Sequence, residues 1–168
     1  MMFHKIFQKD CIKGMKKLPD DFVKISITSP PYNMGKSIHH KKKVYDEYDD
    51  NLSDDEYYNF IKETIKEMIR VSENYVFFNF QVLSGNKKTY MKILSDFQNY
   101  IKEIFIWAKR NPAPAINETC FANGFEFIIC FSKNDTKGRS FNHAYFNSRK
   151  KCGKVISNTV IEKTNKKL

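Results

Sequence analysis

The sequence predicts an α/β layered domain built around a mixed sheet, and three stretches carry that prediction. "DFVKISITSPP", residues 21–31, alternates Val23, Ile25 and Ile27 with Lys24, Ser26 and Thr28, the period of two that marks a strand. "SDDEYYNFIKETIKEMIRVSEN", residues 53–74, repeats its apolar residues at helical spacing. "NYVFFNF", residues 74–80, is an almost unbroken apolar run of strand length, as in a strand buried on both faces. Strands and helices alternating along one chain point to helices layered on a sheet.

The elements follow in chain order. "FHKIFQKD" opens apolar and reads as a short first strand. Asp10 is a suitable N-cap for a short helix from Cys11 to Leu18, which Pro19 stops. The strand around 23–28 ends at Pro30 and Pro31, which cannot continue a ladder. A polar loop, "NMGKSIHHKKKVYDEYDDN", covers 33–51, and loops of that length in a compact domain usually serve function. Ser53 and Glu56 have capping-box spacing at the start of the long helix, whose inner face is Tyr57, Phe60, Ile61, Thr64, Ile65, Met68 and Ile69. A second helix runs from about Asn86 to Tyr100, with Tyr90, Met91, Leu94 and Phe97 inward. Two further strands, "KEIFIWAK" (102–109) and "FEFIICFSK" (125–133), flank a Pro-rich loop. The expected order is thus β-α-β-α-β-α-β-β. Residues 1–135 form the main region, and 136–168 a polar, basic tail.

The 168 residues suit one domain, and 41% hydrophobic content is enough for a core. The formal charge of +10 suggests a polyanionic partner; its alternative is simply a lysine-rich surface. Cys11, Cys120, Cys130 and Cys152 have no C-x-x-C spacing. His4, His39, His40 and His143 complete no zinc pattern with them, so the cysteines read as reduced thiols. Neither a secretion signal nor an apolar run of membrane-spanning length is apparent, and the expected location is the cytoplasm.

Ser29-Pro30-Pro31-Tyr32 lies at the carboxyl end of a strand, where open α/β sheets build their sites. Each proline removes an N–H, so the backbone presents carbonyl acceptors with few competing donors. Ser29 adds a hydroxyl and Tyr32 a π face. An exocyclic amine on a nucleobase fits such a site: two acceptors bind its hydrogens and turn its lone pair toward an electrophile. The base would stack on Tyr32 and must first leave the duplex. A bare Pro-Pro-Tyr is also an ordinary strand exit beside a core tyrosine.

The context favours the site. "KDCIKGMKKLPDDFVKISITSPPYNMGK" resembles the N-terminal part of the permuted, β-type amino-group DNA methyltransferases, with Lys9 in place of the usual glycine of a Gly-Asp-Cys turn. "IFIWAKRNPAPAIN" and "GFEFIICFSK" resemble the paired strands of that family and their connector. The resemblance covers most of residues 5–133. It implies a partial Rossmann-like methyltransferase fold, with a mixed sheet and a C-terminal antiparallel strand pair. It also implies a modification enzyme that moves a methyl group from S-adenosylmethionine to N4 of cytosine or N6 of adenine in DNA. Ser29, Pro30, Pro31 and Tyr32 would then form the target-amine pocket, and serine at position 29 leans toward cytosine. Asp10, Cys11 and Asn79 are the expected cofactor contacts. Lys36, His39, His40, Lys41, Lys42, Lys43 and Lys109 are the expected DNA contacts, with the flipped base as substrate.

The sequence departs from the family in one respect. The family's aromatic-x-Gly-x-Gly cofactor loop is absent: Gly14, Gly35, Gly85, Gly124, Gly138 and Gly153 lie far apart. A second polypeptide carrying that loop, or self-association, is therefore expected. The rival expectation is a truncated, catalytically inactive remnant that binds nucleic acid. For single residues the plainer readings stay open: a helix cap for Asp10, a polar strand exit for Asn79 and Gln81, a solvated loop for the His39–Lys43 run, and a surface charge for Lys109. Glu126 sits on a strand that looks buried and needs a partner, which the sequence does not name.

Overall fold

A computed structural model describes residues 5–34, 50–110 and 124–137. The described elements are α1 (Cys11–Met15), β1 (Val23–Thr28), α2 (Asp54–Val71), β2 (Ser72–Phe80), α3 (Lys87–Asp96), β3 (Ile101–Ala108) and β4 (Phe125–Phe131). They lie within one compact unit, Met1–Lys137.

The four strands form one sheet in the order β1-β2-β4-β3. β1 and β2 are parallel, as the crossover through α2 requires. β4 runs antiparallel to both β2 and β3, so the expected mixed sheet with a C-terminal antiparallel pair is present. Val76, Phe78 and Phe80 of β2 stand opposite Phe131, Ile129 and Phe127 of β4, all on one face. α2 and α3 cover that face, and Tyr57, Ile61, Ile65, Met68, Tyr90, Ile93 and Phe97 fill the core with it. Burying side chains of this size stabilises the fold by roughly 1.5–3 kcal/mol each.

α2 begins with the complete capping box: Glu56 N donates to Ser53 Oγ, and Ser53 N donates to Glu56 Oε2 at 2.9 Å. α1 is capped by Asp10, whose Oδ1 accepts from Lys13 N at 2.7 Å. Arg70, near the end of α2, donates to the carbonyls of Met15 (2.8 Å), which also accepts from Leu18 N, and Leu18 (2.9 Å), tying the end of α1 and its following turn to α2.

Three expectations are corrected. Residues 5–10 form no strand: Ile6 is 99% exposed, and among the described residues no neighbouring strand offers them a ladder. In α3 the inward residues are Thr89, Tyr90 and Ile93, followed by Phe97, whereas Met91 is exposed. Tyr90 and Phe97 face inward as expected and Leu94 packs against the core; Met91 alone of the four faces out, about 100° round the helix from Tyr90 and away from Ile93. Ile27 is 77% exposed despite its apolar place in the alternation. Its partner Phe77 stands opposite Cys130, on the face turned away from α2 and α3, and no described helix covers that face. Among the described residues no helix is long and apolar enough to cross a membrane.

Candidate active site

At the end of β1 the chain turns through Ser29, Pro30, Pro31, Tyr32 and Asn33, and each of the last three is tied down by a side chain from elsewhere. Tyr57, in the first turns of α2 and fully buried, donates its hydroxyl to the Pro31 carbonyl at 2.9 Å. Asn86, the buried residue before α3, donates from Nδ2 to the carbonyls of Tyr32 (3.0 Å) and Gln81 (3.1 Å). Its Oδ1 accepts from Leu83 N at 2.7 Å. Asn33 has φ 57°, a left-handed conformation that asparagine tolerates better than most residues. Its Oδ1 accepts from Leu52 N (2.8 Å) and its Nδ2 donates to Leu52 O (2.9 Å). Asp50 accepts from the backbone N–H groups of Asn33 (2.8 Å) and Met34 (2.9 Å). The turn is thus stapled to the N-terminus of α2.

These bonds decide which acceptors remain. The Pro31 and Tyr32 carbonyls are occupied. Pro30 has no N–H, and among the described residues nothing donates to its carbonyl. Ser29 is exposed beside it.

A second cluster meets the turn from β2 and β4. Ser29 Oγ and Tyr32 Oη are 2.6 Å apart, and either can donate. Asn79 Nδ2 donates to Tyr32 Oη at 2.9 Å and to Glu126 Oε2 at 2.5 Å. Tyr32 Oη donates to the same carboxylate oxygen at 3.3 Å. Lys109 Nζ pairs with Glu126 Oε1 at 2.5 Å. The register explains the meeting: Asn79 stands opposite Ile128, so Glu126 comes from the same face two residues along β4. Asn79 Oδ1 is buried and has no hydrogen-bond partner. An amide flip would aim that oxygen at the Glu126 carboxylate, so the acid itself sets the amide's orientation.

Burial would raise the Glu126 carboxyl, but the bonds from Lys109, Asn79 and Tyr32 outweigh it and hold the group below the usual carboxylate value. The acid whose partner the sequence left unnamed is therefore ionised and paired with three groups. Its place in the site was missed by sequence reasoning, as were the contributions of Tyr57 and Asn86. Each is a polar group on an otherwise apolar pattern, and such a group must find a partner when buried.

Ser29, Pro30, Pro31, Tyr32 and Asn79 are thus brought together, and Lys109 joins them through Glu126. Asp10 caps α1. Cys11 is exposed as a residue, but burial of its thiol and the adjacent Asp10 carboxylate push the thiol up, so it stays protonated. Lys36, His39, His40, Lys41, Lys42 and Lys43 lie outside the described residues, as does most of the Pro-rich loop. Among the described residues no cluster of acidic, histidine and cysteine side chains could hold a metal.

A model of the N6/N4 DNA methylase family matches residues 23–167. The chain belongs to that DNA methylase family. Among related proteins, the type II methyltransferase M.HinfI of Haemophilus influenzae is 28% identical over 149 residues, covering 82% of this chain and 40% of that protein. The type II methyltransferase M.HpaI of Haemophilus parainfluenzae is 34% identical over 70 residues, which is 42% of this chain and 20% of that one. The solved structure of the cytosine-N4-specific PvuII DNA methyltransferase superposes with a TM-score of 0.55 at 17% identity, over 76% of this chain and 48% of that one. The likeness shows the methyltransferase fold. The methylase chain described here spans less than half the length of these relatives.

Proposed function

We propose that this chain supplies the target-base half of a DNA amino-methyltransferase. The exocyclic amine of a flipped cytosine (N4) or adenine (N6) would bind at the end of β1. The observation that carries the reading is the division of acceptors there: Tyr57 and Asn86 occupy the Pro31 and Tyr32 carbonyls, which leaves the Pro30 carbonyl and Ser29 Oγ for the two amine hydrogens. Bound so, the nitrogen is drawn out of conjugation with the ring and its lone pair is directed outward. Positioning then supplies most of the rate, because the reaction requires no strong base. The Tyr32 ring, braced by Phe80 with centroids 6.3 Å apart, offers a stacking face worth roughly 1–3 kcal/mol per base. The serine at position 29 favours cytosine.

S-adenosylmethionine is the methyl donor this reading requires, and it supplies a sulfonium methyl that is electrophilic without further activation. The side chains at the end of β1 fit that transferring end. They are acceptors, and the nearby ammonium of Lys109 is neutralised by Glu126, so a cationic sulfonium meets no uncompensated positive charge from it. Asp10, Cys11 and Asn79 are the residues proposed to lie against the cofactor. The basic residues Lys36, His39, His40, Lys41, Lys42 and Lys43, together with Lys109, are proposed to meet the DNA backbone.

Association with a second polypeptide or a second copy of the chain is also proposed. Among the described residues β1 has one neighbouring strand, and Ile27, Phe22 and Trp107 are exposed at 77%, 58% and 52%. Ile27→Lys is expected to abolish that association, read by sedimentation, while shifting stability by less than ~0.5 kcal/mol.

The test of the reaction is methyl transfer from radiolabelled S-adenosylmethionine to mixed-sequence DNA by the purified chain, followed by nucleoside analysis. Label in N4-methylcytosine or N6-methyladenine, lost in Ser29→Ala, supports the reading. No label from a folded chain moves the cofactor half to a second polypeptide, and no label with that polypeptide added marks the chain as a remnant that binds nucleic acid without methyl chemistry.

A further inference from the structure

The cluster that joins Ser29, Tyr32 and Glu126 has a direction. A carboxylate is the strongest acceptor present and a phenol the more acidic of the two hydroxyl donors. The Tyr32 hydroxyl therefore points at Glu126 Oε2, 3.3 Å away. Asn79 Nδ2 fills one acceptor position of Tyr32 Oη at 2.9 Å, and Ser29 Oγ, at 2.6 Å, donates to the other. Ser29 Oγ then has no proton of its own to offer outward; Asn79 Nδ2 reaches it only in a long contact of 3.4 Å, so the exposed oxygen can still accept. Glu126 is 7% exposed and anchored on its other oxygen by Lys109 at 2.5 Å, so the chain of donors ends on a fixed, ionised group.

We propose that Ser29, Tyr32 and Glu126 form a proton relay that polarises Ser29 as a pure acceptor and carries the surplus amine proton away from the reacting nitrogen. The inference rests on the amine-methylation reading above and goes beyond it by giving Glu126 a part in the reaction. The amine nitrogen forms a C–N bond as the donor's S–C bond breaks, with that bond's electron pair remaining on sulfur. The nitrogen is then cationic and carries one proton too many. That proton passes to Ser29 Oγ as the serine's own proton passes to Tyr32 Oη and the tyrosine's to Glu126 Oε2. One proton has moved and no other bond has changed. Glu126 becomes neutral and passes the proton to solvent after the methylated base leaves. Glu126 does not touch the base; it is a positioning residue that acts through Tyr32, with Asn79 holding both groups in line.

The experiment has two readouts on the full chain. The first is independent of activity: proton NMR of the side-chain hydroxyl of Tyr32 at low temperature. A slowly exchanging, low-field hydroxyl resonance is expected in the wild type. It should move upfield and exchange faster in Glu126→Gln and return in Glu126→Asp. A Tyr32 hydroxyl indifferent to Glu126→Gln would overturn the relay, whether or not the chain transfers methyl groups. The second is the single-turnover methyl-transfer rate in light and heavy water. Wild type should show a solvent isotope effect. Glu126→Gln and Tyr32→Phe should slow the step by about 10²-fold without changing the apparent KM, and should both lose that isotope effect. Equal rates in wild type and Glu126→Gln would also overturn it. If the wild type transfers no methyl group at all, the methylation reading fails, and the hydroxyl resonance still decides the polarity of the cluster.

Discussion

Asn33 offers the sharpest test of how the site turn is held. It is 2% exposed, it sits at φ 57°, and its amide bonds both backbone groups of Leu52, at 2.8 and 2.9 Å. Asn33→Ala removes both bonds, each worth about 1 kcal/mol net. It also places an alanine in the left-handed region, at a further cost of roughly 1 kcal/mol over asparagine. Leu52 is only half-buried, so water partly repairs its freed groups and no further penalty for unsatisfied groups is added. The expected destabilisation is about 3 kcal/mol. Asn33→Gly loses the same bonds but not the conformational preference, so about 2 kcal/mol is expected. Asn33→Asp keeps an acceptor for Leu52 N but brings a second carboxylate beside Asp50, which already accepts from the Asn33 N–H at 2.8 Å. It should fall near alanine. The assay is urea unfolding followed by far-UV circular dichroism, in which the alanine midpoint should drop by more than ~1 M at an unchanged slope. An alanine cost below about 0.5 kcal/mol, or a glycine variant less stable than the alanine one, would refute the reasoning.

Two further outcomes follow from the charged groups. Glu126 titrates below its ordinary value of 4.5 in the folded chain, so its contribution is present above that pH and is lost as pH falls through the folded value. Glu126→Gln should be less stable than wild type at pH 7, and the gap should close on acidification below 4.5 in a urea series; a gap independent of pH would count against the pairing. Lys102 has a fully buried side chain paired at 2.7 Å with Asp135, which is 44% exposed. Asp135→Asn, which leaves the buried ammonium without its carboxylate, should cost about 2–3 kcal/mol, whereas Lys102→Met should be within ~1 kcal/mol of wild type by the same unfolding assay.

Much of the fold was legible because its causes are local. The capping box at Ser53 and Glu56, the helical stripe of α2 and the apolar run of β2 each announce an element without reference to the rest of the chain. What failed depended on partners. Residues 5–10 carry apolar side chains but meet no strand, and a strand is stable only within a ladder. Ile27 obeys the alternation and still faces out, because alternation tells which residues share a face but not whether anything covers it. Met91 is apolar and adjoins the buried Tyr90, yet it lies about 100° round α3 from it and outside the covered stripe, so an apolar residue beside a core position need not join the core.

The site divides along the same line. Ser29-Pro30-Pro31-Tyr32 was readable because prolines act on their own backbone wherever they stand. The groups that make the turn specific lie 26, 54 and 94 residues away, in Tyr57, Asn86 and Glu126. In sequence these looked like a helix face, a helix start and an unexplained acid. Each is a polar group buried among apolar neighbours, and a buried polar group costs about 1–3 kcal/mol unless it is bonded. All three find a partner in the same short turn. Parallel pairing of β1 with β2 carries the turn to Asn79, and antiparallel pairing of β2 with β4 carries Asn79 to Glu126. The sheet register thus places Glu126, while the starts of α2 and α3 place Tyr57 and Asn86, and together they hold one acceptor site. Removing any one of these partners should therefore loosen the turn before it unfolds the core, because α2, α3 and the covered face of the sheet keep their own apolar contacts.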